Sequence, residues 1–199
     1  QKGLNIDYDL LKKGFAPSVF IKPYNSFIDK CFRTNVVQNA SWPDPPTNGW
    51  ITCQNAISTF SDIIRTNVVV QYLDGIDDVV KMISGMTLCN VDYQAKNEGY
   101  YAVHIDVKTR FEVPRVDWDT QLIDGKVEIQ VTTELKELIK EMLHKSYEGD
   151  RSTMSIMEPD KGWQWNYQSN KFRLNFLGHV VHSLEGSILD IRERENNLK

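Results

Sequence analysis

Lys126-Val127-Glu128-Ile129-Gln130-Val131-Thr132-Thr133 is the stretch from which the rest of the chain can be read. Val127, Ile129 and Val131 alternate with Lys126, Glu128, Gln130 and Thr132, the period-two pattern of a half-buried strand. One face packs and the other is free for chemistry. Asp124-Gly125 just before it reads as a tight turn. Directly after it the period changes. Leu135, Leu138, Ile139, Met142 and Leu143 fall at helical spacing, which predicts an amphipathic helix from Glu134 to near Tyr147, with Gly149 beyond its end.

Working outward, Tyr100 to Lys108 alternates as cleanly. Tyr101, Val103, Ile105 and Val107 form an apolar side, and Tyr100, Ala102, His104, Asp106 and Lys108 a polar one. Phe60 to Tyr72 is nearly continuous in β-branched and apolar residues, as expected of a central buried strand. Ile76, Val79, Val80 and Ile83 predict a short helix closed by Gly85. Asp92 to Gly99 reads as a polar connection, and Phe111 to Ile123 carries no clear period. Upstream, Leu10 to Phe32 is apolar but broken by Pro17 and Pro23, predicting an N-terminal layer (1–34) of two or three short helices. Pro43, Pro45, Pro46 and Asn48-Gly49 make 35–49 a loop, and 149–170 is a second, polar loop with Trp163 and Trp165 as anchors. From Lys171, Leu174, Leu177, Val181, Leu184, Ile188 and Ile191 recur as the seam of a long helix (171–195), with Gly178 and Gly186 off it as points of close backbone approach. Strands interspersed with helices give a single α/β or α+β domain over 1–199, a mixed sheet core (60–148) flanked by helices.

With 41% hydrophobic and 25% charged residues the composition is that of a globular protein, and no window supplies the ~20 apolar residues of a membrane helix. No membrane partner is expected. The opening Gln1-Lys2-Gly3-Leu4-Asn5 lacks the apolar run of a secretion signal. Cys31, Cys53 and Cys89 are widely spaced without a C-x-x-C, which favours a reducing cytoplasm over a disulfide framework or zinc knuckle. A net charge of −4 gives no case for non-specific DNA binding.

Two carboxylates on or beside predicted strands, Asp62 and Glu128, are one way to hold Mg²⁺ against phosphates; an ordinary solvated strand face is the other reading of the same residues. Tyr100 and His104 join them only if the strands are neighbours. His179, His182 and Glu185 are spaced three apart, which drifts around a helix, unlike the H-E-x-x-H zinc pair; a polar or partner-facing flank is the expectation. Glu137, Glu141 and His144 share a helical edge away from the apolar stripe, either solvated or in contact with substrate. Neither a Walker A lysine motif nor G-x-G-x-x-G occurs.

Four motifs stand in order: F-S-D-I-I-R at 60–65, G-Y-Y-A-V-H at 99–104, V-E-I-Q at 127–130 and E-x-x-H-x-x-Y at 141–147. Together they resemble the synthetase domain of the RelA/SpoT family, makers of the alarmones (p)ppGpp. F-L-G-H-V-V-H-S-L-E-G near the end is similar to the last helix of its single-domain members, and no His-Asp dipeptide marks the hydrolase half of the long ones. The resemblance implies a nucleotidyltransferase-like mixed sheet that moves pyrophosphate from ATP to the 3'-hydroxyl of GDP or GTP. It implies that Asp62 and Glu128 hold Mg²⁺, with Glu128 also near the attacking hydroxyl. Tyr100 would stack on the acceptor base, with His104, Gln130, Lys108 and His144 beside it, and Arg65, Lys126 and Arg110 would meet phosphates. Phosphoryl transfer is mostly positioning and charge neutralisation, so a metal and cations suffice.

The chain departs from the family pattern in several places. No Lys or Arg occurs between Thr34 and Ser61, where the family carries basic residues for ATP. Lys22, Lys30 and Arg33 upstream, or Lys108, Arg110 and Lys126 downstream, are the candidates to replace them. Tyr101-Ala102 replaces a polar pair, Thr132 stands where an Arg usually follows, and Leu143 replaces a Glu. Three readings remain open: an alarmone synthetase, a toxin-like pyrophosphokinase of the tRNA 3' end, and a catalytically silent nucleotide sensor or interaction module. The seam of the last helix serves either packing within the chain or a homo-oligomer.

Overall fold

The computed structural model describes residues 9–150 and 162–196, with the backbone alone for 143–150. Its centre is one mixed five-stranded sheet in the order β1-β2-β5-β4-β3. The strands are β1 (Val19–Ile21), β2 (Ile64–Val70), β3 (Cys89–Ala95), β4 (Tyr101–Pro114) and β5 (Thr120–Thr133). β2 runs parallel to β5, and every other neighbour pair is antiparallel. The mixed sheet flanked by helices follows the expectation, but β5, not β2, is the central strand.

The alternation in β4 and β5 has the predicted consequence. Val103, Ile105 and Val131 are buried with Val70 and Leu10. Ile76 and Val79 of helix α3 (Gly75–Met86) close the same cluster. Asp74 caps α3 by accepting from Gly75 N at 3.1 Å, and Asp77 and Asp78 complement the dipole of its first turn. α3 ends at Met86, one residue past the Gly85 expected to close it.

Several sequence expectations are corrected. Asp124-Gly125 is not a turn: it lies inside β5, paired with Arg110 and Thr109. The illegible Phe111–Ile123 stretch is the outer half of a long β4–β5 hairpin, where Phe111 and Val113 are only half-buried and a turn interrupts the pattern. The connection over Asp92–Gly99 begins as strand β3, an edge strand with only intermediate or exposed residues, hence its polar composition. In the N-terminal layer, Val19–Ile21 forms edge strand β1 because Pro17 and Pro23 bracket a β-branched segment; helix α1 (Tyr24–Phe32) follows. The α1 register then continues through a π turn over Arg33–Val37. A short helix, α2 (Ala56–Thr59), ends the loop region before β2.

Both C-terminal helices are rotated from expectation. Helix α4 (Glu134–Asp150) runs past Tyr147 and Gly149, and its leucine row stays outside: Leu135, Leu138 and Met142 are 40–55% exposed while Ile139 and Lys136 are buried. Helix α5 (Asn170–Asn196) buries Asn175, Gly178, Val181 and Glu185. Of its predicted seam only Val181 is buried; Leu184, Ile188 and Ile191 are exposed. The cause is the close approach of a backbone turn. A Cβ on Gly178 would run into Gly99 O, and Gly99 itself has φ +76°, so only glycine fits on both sides. Gly178 is thus a point of close approach as expected; Gly186 is not, having open space around it. Of the tryptophan anchors, Trp163 packs against Phe172 and His179, whereas Trp165 is exposed. Among the described residues no helix is long and apolar enough to cross a membrane.

Candidate active site

The register of the sheet assembles the site. Arg65 pairs with Glu128 and Asn67 with Gln130 across β2 and β5, while His104 pairs with Gln130 and Asp106 with Glu128 across β4 and β5. These side chains therefore stand on one face, opposite the Val103–Ile105–Val131 core.

Glu128 is 6% exposed. One carboxylate oxygen lies 3.6 Å from His104 Nδ1, and the other accepts from Gln130 Nε2. Burial pushes the Glu128 carboxyl up, but the hydrogen bonds from His104 and Gln130 and the His104 charge outweigh it and hold the group below its usual range. The nearby Asp62 charge pulls the other way, so the two carboxylates sense each other. Tyr100 Oη lies 2.9 Å from His104 Nε2, with the rings edge to face. Burial and then the charges of Glu128 and Glu137 push the Tyr100 phenol up to about 12, so it stays protonated. The direction of the Tyr100–His104 contact follows the protonation of the imidazole, and with Nε2 as acceptor it is Nδ1–H that faces Glu128.

Asp62 sits in the turn before β2 and binds two lysines. Lys30 Nζ from α1 lies 2.6 Å from one oxygen, and Lys22 Nζ, just after β1, lies 2.9 Å from the other. Burial raises the Asp62 carboxyl, and the hydrogen bonds and charges of Lys30 and Lys22 overcome this and lower it. Two of the upstream candidates for the basic residues missing from 35–60 are thus bound to Asp62. Arg33 is instead paired with Asp29, 3.1 Å away on its own helix.

Arg65 lines a cavity of about 190 Å³ with Phe20, Asn67, Gln130, Glu137 and Lys140. Lys108, Lys126 and Arg110 stand elsewhere, along an open cleft of about 550 Å³ at the base of the hairpin. Lys108 and Lys126 are a cross-strand pair there, and Arg110 is 2.8 Å from Asp124. The His144 side chain lies outside the described residues, whereas Glu137 faces the site, accepting from Asn67 at 3.4 Å and Lys140 at 3.4 Å.

His179, His182 and Glu185 are neither a metal site nor a free flank. His179 Nδ1 is 2.7 Å from Tyr101 Oη, His182 stacks on the Tyr101 ring at 3.9 Å, and Glu185 pairs with buried Lys136 at 2.9 Å. Among the described residues no three His, Cys, Asp or Glu side chains gather to hold a metal. Asp62 and Glu128 are hard oxygen donors of the kind Mg²⁺ takes, with water and phosphate completing its shell; both Asp62 oxygens are engaged by Lys22 and Lys30, so a metal there would displace an ammonium.

Sequence reasoning missed Lys96 and Lys140. Lys96 Nζ stands 5.4 Å from the Tyr100 ring centroid, and its signal was a lysine four residues before that tyrosine in a turn closed by Gly99. Lys140 donates to Gln130 Oε1 at 3.5 Å; its signal was the Lys136–Lys140 spacing of one helical turn just beyond the strand.

No protein-family model and no curated protein matches the chain. Solved structures do match it. Small alarmone synthetase 1 from Bacillus subtilis bound to its product pppGpp aligns at TM-score 0.62 with 19% identity, covering 96% of this chain and 82% of that one. The same synthetase bound to AMPCPP aligns at 0.58 with 17% identity, covering 89% and 76%. A GTP pyrophosphokinase family protein from Streptococcus pneumoniae aligns at 0.61 with 17% identity, covering 92% and 78%. The likeness runs over nearly the whole chain and is one of fold: this is the small alarmone synthetase architecture.

Proposed function

We propose that the chain is a cytoplasmic pyrophosphokinase of the RelA/SpoT type. It transfers the terminal pyrophosphate of ATP to the 3'-hydroxyl of GDP or GTP, giving (p)ppGpp. The observation that carries this reading is an Asp62–lysine cluster near enough to Glu128 for the Asp62 charge to act on it, beside a second cluster built around Glu128 itself. Asp62, Lys22 and Lys30 form the first; Tyr100, His104, Glu128 and Gln130 form the second. That relatives of the same fold are solved with pppGpp and with AMPCPP supports the same division of labour.

In this reading Tyr100 stacks on the acceptor base, a contact worth about 1–3 kcal/mol. Glu128, kept ionised by His104 and Gln130, accepts the proton of the 3'-hydroxyl as that oxygen bonds to the β-phosphorus and AMP leaves. Lys22 and Lys30 neutralise the triphosphate, and Arg65 adds charge from β2. Mg²⁺, held by Asp62 and Glu128, would stabilise the charge developing on the transferred group.

The test offers γ-labelled ATP and Mg²⁺ with GDP, GTP, ATP and deacylated tRNA in parallel, separating products by thin-layer chromatography. Label is expected on the guanine nucleotide and absent with Glu128→Ala. Label on tRNA alone would establish the toxin-like reading, and calorimetric guanine-nucleotide binding without ATP binding the silent sensor.

A further inference from the structure

Gln130 lies between an anion and a cation. Its Nε2 donates to Glu128, while its Oε1 accepts from Lys140 Nζ at 3.5 Å. An amide so placed has one satisfactory orientation, because a flip would set carbonyl oxygen against carboxylate and NH₂ against ammonium. Lys140 is itself held: it reaches Glu137 at 3.4 Å, and Glu137 accepts from Asn67 at 3.4 Å. The lysine also lines both hollows flanking Gln130, one with Tyr100 and Thr132 and one with Arg65 and Asn67. Thr132, 5% exposed, brings only a hydroxyl to the first of these.

We infer that Lys140 is a positioning residue that, from α4, fixes the Gln130 amide toward Glu128. Each donor to Glu128 is thereby oriented by a third group: His104 by Tyr100, and Gln130 by Lys140. Such preorganisation acts on the chemical step more than on nucleotide affinity. The inference rests on the pyrophosphokinase reading for its kinetic consequence and on geometry alone for the amide.

Lys140→Met keeps the aliphatic stem and removes the charge. It is expected to lower kcat about 10- to 100-fold, with KM for both nucleotides nearly unchanged. Lys140→Arg should restore most of the rate, and in a Gln130→Leu background Lys140→Met should cost nothing further. In nucleotide-free, ¹⁵N-labelled protein, Lys140→Met should shift the Gln130 side-chain amide resonances. An acceptor KM that rises at constant kcat would overturn the inference by making Lys140 a phosphate ligand. So would additive losses in the double variant or unmoved Gln130 resonances. If the wild-type protein transfers no pyrophosphate, the functional reading falls while the resonances still decide the role of Lys140.

Discussion

The Glu128 cluster and the Asp62 cluster lie near enough for their charges to interact but are built by different means. His104, Glu128 and Gln130 belong to adjacent strands whose register brings them together, and Tyr100 stands just before β4 with its hydroxyl on His104. Asp62 instead meets Lys22 and Lys30 from 40 and 32 residues upstream, one beyond an edge strand and one on a helix. A site made by strand register is held by the core behind it. One made by converging loops and helices is held by its own ion pairs, and the balance of charge there is the structure.

Variants sharpen that contrast. The largest expected effect is on the register-built side: Glu128→Ala should cost about 100- to 1000-fold in kcat while the protein still folds, with a loss of about 1–3 kcal/mol in stability, as activity and thermal melts on one preparation would show. Gly178→Ala comes next. Its new Cβ would push Gly99 away, and Gly99 immediately precedes Tyr100. A loss of about 1–3 kcal/mol in denaturant unfolding is expected, with a raised acceptor KM and little change in that for ATP.

The ion-paired side should respond to pH. The Asp62 carboxyl is lowered from its usual 3.8, so its contribution to stability is fully present above that value and is lost as pH falls through the folded pKa. Lys22→Met with Lys30→Met leaves burial as the main influence on Asp62. The double variant should melt lower at neutral pH and lose the acid-side decline that this group contributes, and its KM for ATP should rise. Melting curves of both proteins at several pH values check the sign. The smallest effect is expected at Leu184→Lys with Ile188→Lys: within about 0.5 kcal/mol for the monomer, since both side chains are already exposed. A lower mass in size-exclusion measurement would show that this row serves self-association.

The same contrast explains what could be read from the sequence. Alternation in 100–108 and 126–132 exposes the face of every residue, so Tyr100, His104, Glu128 and Gln130 were legible before any contact was known. Lys22 and Lys30 were visible only as candidates among six cations, because nothing in local pattern says which distant lysine reaches a carboxylate. The helix faces failed for a related reason. Periodicity in α4 and α5 shows where the leucines lie. It does not show that a Gly99–Gly178 approach and a Lys136–Glu185 pair take the inner side. The Asp124-Gly125 turn failed because a turn-forming dipeptide was overridden by pairing with β4.

The glycine contact has one further consequence, for modularity. Because α5 touches the backbone just before Tyr100 through an approach no other residue permits, the last helix is no detachable tail. Expressed apart, residues 1–150 and 162–199 should each lack activity, and mixing them should restore it only when Gly178 is intact. The backbone that carries Tyr100 is then a joint product of two stretches of chain far apart in sequence.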